Sequence, residues 1–160
     1  MSKKEPQALL LYWKQQIADD ILSRERLLNH AASDQLWRAS RGDNIWIVTV
    51  RDGELFLLSK LYVDEITDRT GAVKRLGADG IWGNMKHYAI AAPDKMEPLK
   101  DVSITNIADK LRFKTTNVKR TKLDLRDGDK VNAQQLQTMR ILDEASALLI
   151  EQVWARVNKS

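Results

Sequence analysis

Between residues 30 and 50 the chain reads HAASDQLWRASRGDNIWIVTV, its densest set of side chains suited to recognising a flat, polar ligand. Ser33, Asp34, Gln35 and Ser40 supply short donors and acceptors, Trp37 and Trp46 supply indoles, and the Gly42-Asp43 pair turns directly into an apolar strand. An unstacked nucleobase has a π face and a hydrogen-bonding edge, so aromatic walls beside short polar groups match its two needs. Each of these residues also has a plainer use. Trp46 alternates with Ile45 and Ile47, which points to core packing, and Asp43 suits a turn held by its own side chain. Trp37 fits either a pocket wall or a loop anchor, and His30 either a pocket or a hydrogen bond to backbone.

Reaction chemistry is less well supplied. The chain has no cysteine and only two histidines, His30 and His87, which excludes thiol chemistry and leaves no ligand set for zinc. Neither GxGxxG, GxxxxGK nor GxSxG occurs, and the acidic pairs Asp19-Asp20, Asp64-Glu65 and Asp143-Glu144 fall at solvated ends of elements. No cofactor is expected. The 26 Lys and Arg outnumber the 22 Asp and Glu, giving a net charge of +4, which permits a nucleic-acid partner. The excess is local: Lys110, Arg112, Lys114, Lys119, Arg120 and Lys122 lie in a stretch, 110–123, without an acidic residue. Lys114, Lys119, Arg120 and Lys122 are candidates to contact a phosphate backbone, or to guard an edge strand against aggregation.

The elements that position these groups follow from periodicity. At 160 residues the chain fits one domain, 1–160, able to bury a core without disulfide or metal. Residues 8–13 read as a buried strand, and 16–31 has helical spacing through Ile17, Ile21, Leu22, Leu27 and Leu28. Residues 44–50 form a strand whose hairpin turn is Arg51-Asp52-Gly53-Glu54, with 55–66 as its partner. Further strands are expected over 73–76, 87–92 and 118–125, and a glycine-rich loop carries Trp82. Ser103 or Thr105 can cap a short helix reaching Leu111, and Asp127-Gly128-Asp129 can turn the chain. A long C-terminal helix spans 132–157, with Leu136, Met139, Leu142, Ala145, Leu149 and Val153 as its apolar stripe and Trp154 beside it. The class is α+β, a curved mixed β-sheet or barrel with flanking helices. No stretch reaches membrane-spanning length and no cleavable leader is apparent, so a cytoplasmic protein is expected.

The order of parts resembles the EVE branch of the PUA-like superfamily, whose cousins include the YTH and ASCH domains. The resemblance rests on Tyr12-Trp13-Lys14 at the end of the first strand, the polar segment leading to Trp37, and Gly42-Asp43 before a strand and its partner. It extends to Leu111-Arg112-Phe113 and the helical string MRILDEASALL, and so covers nearly the whole chain. A Ser-Glu-Pro-like triplet usual after the first strand reads Gln15-Gln16-Ile17 here, which alters the pocket floor.

The resemblance implies a PUA-like fold and a module that flips a methylated or hydroxymethylated base into an aromatic pocket. Its partner would be nucleic acid, modified DNA ahead of RNA, in a restriction or defence setting with a separately encoded nuclease. By this carry-over Trp13, Lys14, Trp37 and Trp82 belong to the pocket. Ser33, Asp34 and Gln35 join them as edge-reading groups from their place upstream of Trp37. Two alternatives stand beside this: an ASCH-like small ribonuclease using Lys14 or Lys86, and a general RNA-binding or interaction module without modified-base specificity.

Overall fold

The computed structural model describes residues 5–81, 85–126 and 130–159. Its strands are β1 (Ala8–Tyr12), β2 (Leu27–Leu28), β3 (His30–Ala32), β4 (Asn44–Arg51), β5 (Glu54–Thr67), β6 (Tyr88–Ala91), β7 (Glu97–Pro98), β8 (Val102–Ser103), β9 (Leu125–Arg126), β10 (Lys130–Val131) and β11 (Arg140–Ile141). The helices are α1 (Gln15–Arg24), α2 (Arg69–Leu76), α3 (Thr105–Ala108) and α4 (Glu144–Lys159). Seven strands make one mixed sheet in the order β11-β1-β4-β5-β6-β3, with β8 joined to β5. Only the β1–β4 pair is parallel among these described ladders. The architecture is therefore α+β, a curved mixed sheet with flanking helices and a C-terminal helix.

Curvature comes from β5. It pairs with β4 along its first part and with β6 along its last, and its register shifts once in each ladder. Ile47 opposes Ser59 while Val48 opposes Leu57, so Leu58 is an extra residue that bends the strand. The turn before it is the tight hairpin expected from Asp52-Gly53: both residues have positive φ, 51° and 79°.

Both faces of the sheet are covered, which is why β4 reads as an unbroken apolar run. Leu9, Leu11, Trp13, Ile45 and Ile47 pack into one core with Ile21 of α1 and Leu36. Leu10, Trp46, Val48 and Leu57 pack into a second with Ile107, Phe113, Ile150 and Trp154. Trp46 meets Trp154 edge to face with ring centres 6.3 Å apart, so α4 is fastened to the sheet through two indoles.

Several expected elements differ. The helix expected over 16–31 ends at Arg24, because Glu25 is extended and the chain beyond it pairs with β7 and β6. The strand expected over 73–76 is helical: Asp68 Oδ1 accepts from the Gly71 amide at 2.9 Å and caps α2, and Ala72 is buried beneath it. The expected strand over 118–125 begins as a 3₁₀ turn, Val118–Arg120, capped by Asn117, with Val118 82% exposed, and is extended only at its end, where Leu125 enters β9. The helix expected from Asn132 starts at Glu144. Residues Ala133–Leu136 form a 3₁₀ turn and Arg140–Ile141 pair with β1, so Leu136, Met139 and Leu142 are buried by strand docking. Asp143 Oδ1 then caps α4 by accepting from the Ser146 amide at 2.8 Å. The buried side of α4 centres on Ser146, Ile150 and Trp154; Leu149 and Val153 of the expected stripe pack partly buried against the same core, while Ala145 is exposed. The helix expected to reach Leu111 stops at Ala108, and Thr105 accepts from the Leu55 amide instead of capping it. Asp127-Gly128-Asp129 lies outside the described residues. No helix among the described residues is long and apolar enough to cross a membrane.

Candidate nucleic-acid interface

The junction of β1 and α1 is fixed by backbone contacts on both sides of Trp13. Its amide donates to the Val48 carbonyl at 2.9 Å, and its carbonyl accepts from Thr49 Oγ1 at 2.8 Å. Lys14 follows at the N-cap of α1, exposed and without a side-chain cap, so the first-turn amides of α1 have no side-chain acceptor there. Beside this junction opens a cleft of about 650 Å³, within the usual size of a small-molecule site.

Apolar groups dominate its wall: Leu11, Trp13, Ile17, Ile21, Ala32 and Met85. Polar groups stand among them, namely Tyr12, Lys14, Ser33, Gln137 and the Asp20–Arg24 pair, which is joined at 2.8 Å. Burial raises the Tyr12 phenol above its ordinary pKa, so it is a neutral donor at physiological pH. Lys14, exposed on this wall, is in no ion pair among the described residues. Among the described residues no group of three His, Cys, Asp or Glu side chains is placed to hold a metal ion.

Trp13 and Lys14 at the β1–α1 junction and Ser33 after β3 meet at this cleft. Trp13 borders the cleft but is only 6% exposed and belongs to the core. Ser33 lines the cleft while its Oγ accepts from the Gln35 amide at 3.1 Å. Asp34 is turned to another task, accepting from the Lys86 amide at 2.8 Å. Gln35 spends both ends of its amide on the 137–139 segment: Nε2 donates to the Gln137 carbonyl at 2.7 Å and Oε1 accepts from the Met139 amide at 2.6 Å. Trp37 stands 67% exposed on a 3₁₀ turn, outside the cleft wall. Trp82 lies outside the described residues.

His30 is not on a loop but in β3, fully buried with Nδ1 2.6 Å from Asn29 Oδ1, and burial lowers its pKa to about 4. Asp43 holds its turn as expected, accepting from the Ser40 and Gln7 amides, each at 2.9 Å.

The basic stretch lies apart from the cleft wall. Lys114 is exposed, while Lys119, Arg120 and Lys122 line a second, smaller concavity together with Arg126 and Arg140. The 137–140 segment links the two places: Gln137 borders the cleft and Arg140 the basic concavity. Arg38, next to Trp37, donates to the Met139 carbonyl between them at 2.7 Å. The cleft residues Met85, Gln137, Asp20 and Arg24 carry no local signal in the sequence. They reach the site only through long-range packing.

No family model matches this chain. No curated protein matches it either. Among solved structures it is similar to a mutant ASCH protein from Zymomonas mobilis, 13% identical, with 92% of this chain and 96% of that one covered at a TM-score of 0.48. It is similar also to a hypothetical protein from Leishmania major, 8% identical, with 96% and 98% covered at a TM-score of 0.48.

Proposed function

We propose that this protein is a nucleic-acid-binding module of PUA-like type that receives one unstacked base in the cleft beside Trp13, Lys14 and Ser33. The observation that carries this reading is the cleft itself: an apolar slot at the β1–α1 junction, with an exposed cation at its mouth. Flipping a base costs a few kcal/mol of lost stacking, which contact with Tyr12 and the apolar wall around Trp13 offsets. Lys14 and the uncapped amides of α1 suit a phosphate flanking the flipped nucleotide. Ser33 Oγ and the Gln137 amide provide edge contacts, and an apolar wall has room to favour a methyl group. On these grounds modified DNA is the preferred partner, with a separately encoded nuclease acting on what the module marks.

Ile17 lines the cleft and is 45% exposed, so Ile17→Glu places a negative charge in the slot without disturbing the core. In a gel-shift panel of plain, 5-methylcytosine, 5-hydroxymethylcytosine and N6-methyladenine DNA and plain RNA, the wild type should retain one modified strand preferentially and leave it intact. Ile17→Glu and Lys14→Ala should each abolish that preference. Equal binding of all strands by wild type and variants overturns the reading, and shortening of labelled RNA that is lost in Lys14→Ala would assign the cleft to a ribonuclease instead.

A further inference from the structure

Arg140 carries a charge that nothing in the described structure neutralises. It is 7% exposed, and its backbone is held in β11 opposite Leu10. A guanidinium has five N–H donors. Those described go only to carbonyls, Nη1 to Gln135 at 3.2 Å and Nη2 to Arg120. Its plane lies over Phe113, 4.2 Å from the ring centre. No carboxylate among the described residues lies within ion-pair distance of it.

Its surroundings add positive charge. Arg120, Lys119, Lys122 and Arg126 line the same concavity of about 230 Å³, and among the described residues Asp124 is the single carboxylate on that wall. No described ion pair joins Asp124 to any of the cations, and its own amide and carbonyl are taken by Gln135. Burial first, then the neighbouring charges of Arg120 and Arg38, depress the Arg140 pKa. A largely buried cation without a counter-ion is costly, and one surrounded by further cations more so. The arrangement becomes favourable when an oxyanion occupies the concavity, taking the spare Arg140 donors at its base and the flexible side chains at its rim.

We propose that Arg140 is the floor of a discrete oxyanion site that binds one phosphoryl group, with Arg120, Lys119, Lys122 and Arg126 as its walls. The site stands whether or not a base enters the cleft, since none of its residues lines the cleft. It differs from general phosphate contact by a solvated basic stretch in having one buried, directional anchor.

Thermal unfolding in millimolar inorganic phosphate, against chloride at equal ionic strength, tests it. Ligand that binds only the folded chain raises Tm, so phosphate should shift the wild type upward by several degrees beyond chloride. Arg140→Met keeps an unbranched apolar stem against Phe113 and should lose the shift. Lys119→Ala/Lys122→Ala, altering two exposed side chains, should reduce it and decides the matter if Arg140→Met does not fold. Ile17→Glu should leave it intact, which separates this site from the base cleft. An equal shift in chloride overturns the proposal, as does a phosphate shift that survives in both concavity variants. Competition by short DNA strands assigns the source. A 5′-phosphorylated strand that outcompetes its 5′-hydroxyl twin points to a terminal phosphate, equal competition to a backbone phosphodiester, and none to a free anion.

Discussion

Gln35 and Trp37 stand two residues apart in one polar loop, and their side chains have opposite fates. Gln35 uses one donor and its acceptor oxygen to hold the 137–139 segment, at 2.7 and 2.6 Å, which fixes its amide as a structural brace. Gln35→Leu removes both bonds and strands a carbonyl and an amide, so stability should fall by about 1–3 kcal/mol in urea denaturation. Trp37 is 67% exposed and supports little packing. On the proposed reading it is a platform: stacking of a base on an aromatic contributes about 1–3 kcal/mol, so Trp37→Ala should weaken single-stranded DNA binding roughly five- to 150-fold. Tm should stay unchanged in the same variant. A drop in stability without a drop in affinity would make Trp37 a loop anchor after all.

At the scale of elements, what was legible in the sequence is what local pattern decides. β1, β4, β5 and β6 follow from compact apolar runs, and the Asp52-Gly53 hairpin from its two positive φ angles. The misread segments are those where a distant partner decides. Leu27 and Leu28 have helical spacing from Ile17 and Ile21, yet pairing with Pro98 and Glu97 draws them into β2. Leu136, Met139 and Leu142 match a helical stripe, yet Ile141 and Arg140 lie across from Leu9 and Leu10. The same limit hid half of the cleft wall, since Met85 and Gln137 meet Trp13 only after the sheet has curled.

The strand at 30–32 also makes a measurable difference. Pairing with β6 buries His30 completely, and its pKa falls to about 4 from the ordinary 6.5. Between those values the unfolded chain binds the proton and the folded chain does not. Stability from this group is therefore complete above pH 6.5 and is lost as pH falls toward 4, by up to about 1.4 kcal/mol per pH unit and on the order of 3 kcal/mol in all. Denaturation profiles between pH 7 and 5 should slope in the wild type and flatten in His30→Gln. A flat wild-type profile would mean that His30 is charged in the fold.

Over the whole molecule, the net charge of +4 matters less than its placement beside the two concavities. The cleft offers shape and one mouth cation, while Lys119, Arg120 and Lys122 offer charge that any phosphate satisfies. On the proposed reading shape distinguishes bases while charge reads only the backbone, so the two should separate in a salt titration. Each phosphate neutralised contributes about 0.7–0.9 to the slope of log K against log salt, so replacing Lys119, Arg120 and Lys122 by alanine, which dismantles a site for one phosphoryl group, should lower that slope by about one. The loss should be the same for plain and modified strands, because these side chains carry no base information. Ile17→Glu should do the reverse, erasing the preference between strands while leaving most of the slope. If the triple variant instead erased the preference, the base would be read at the basic concavity and the cleft at β1 and α1 would need another occupant.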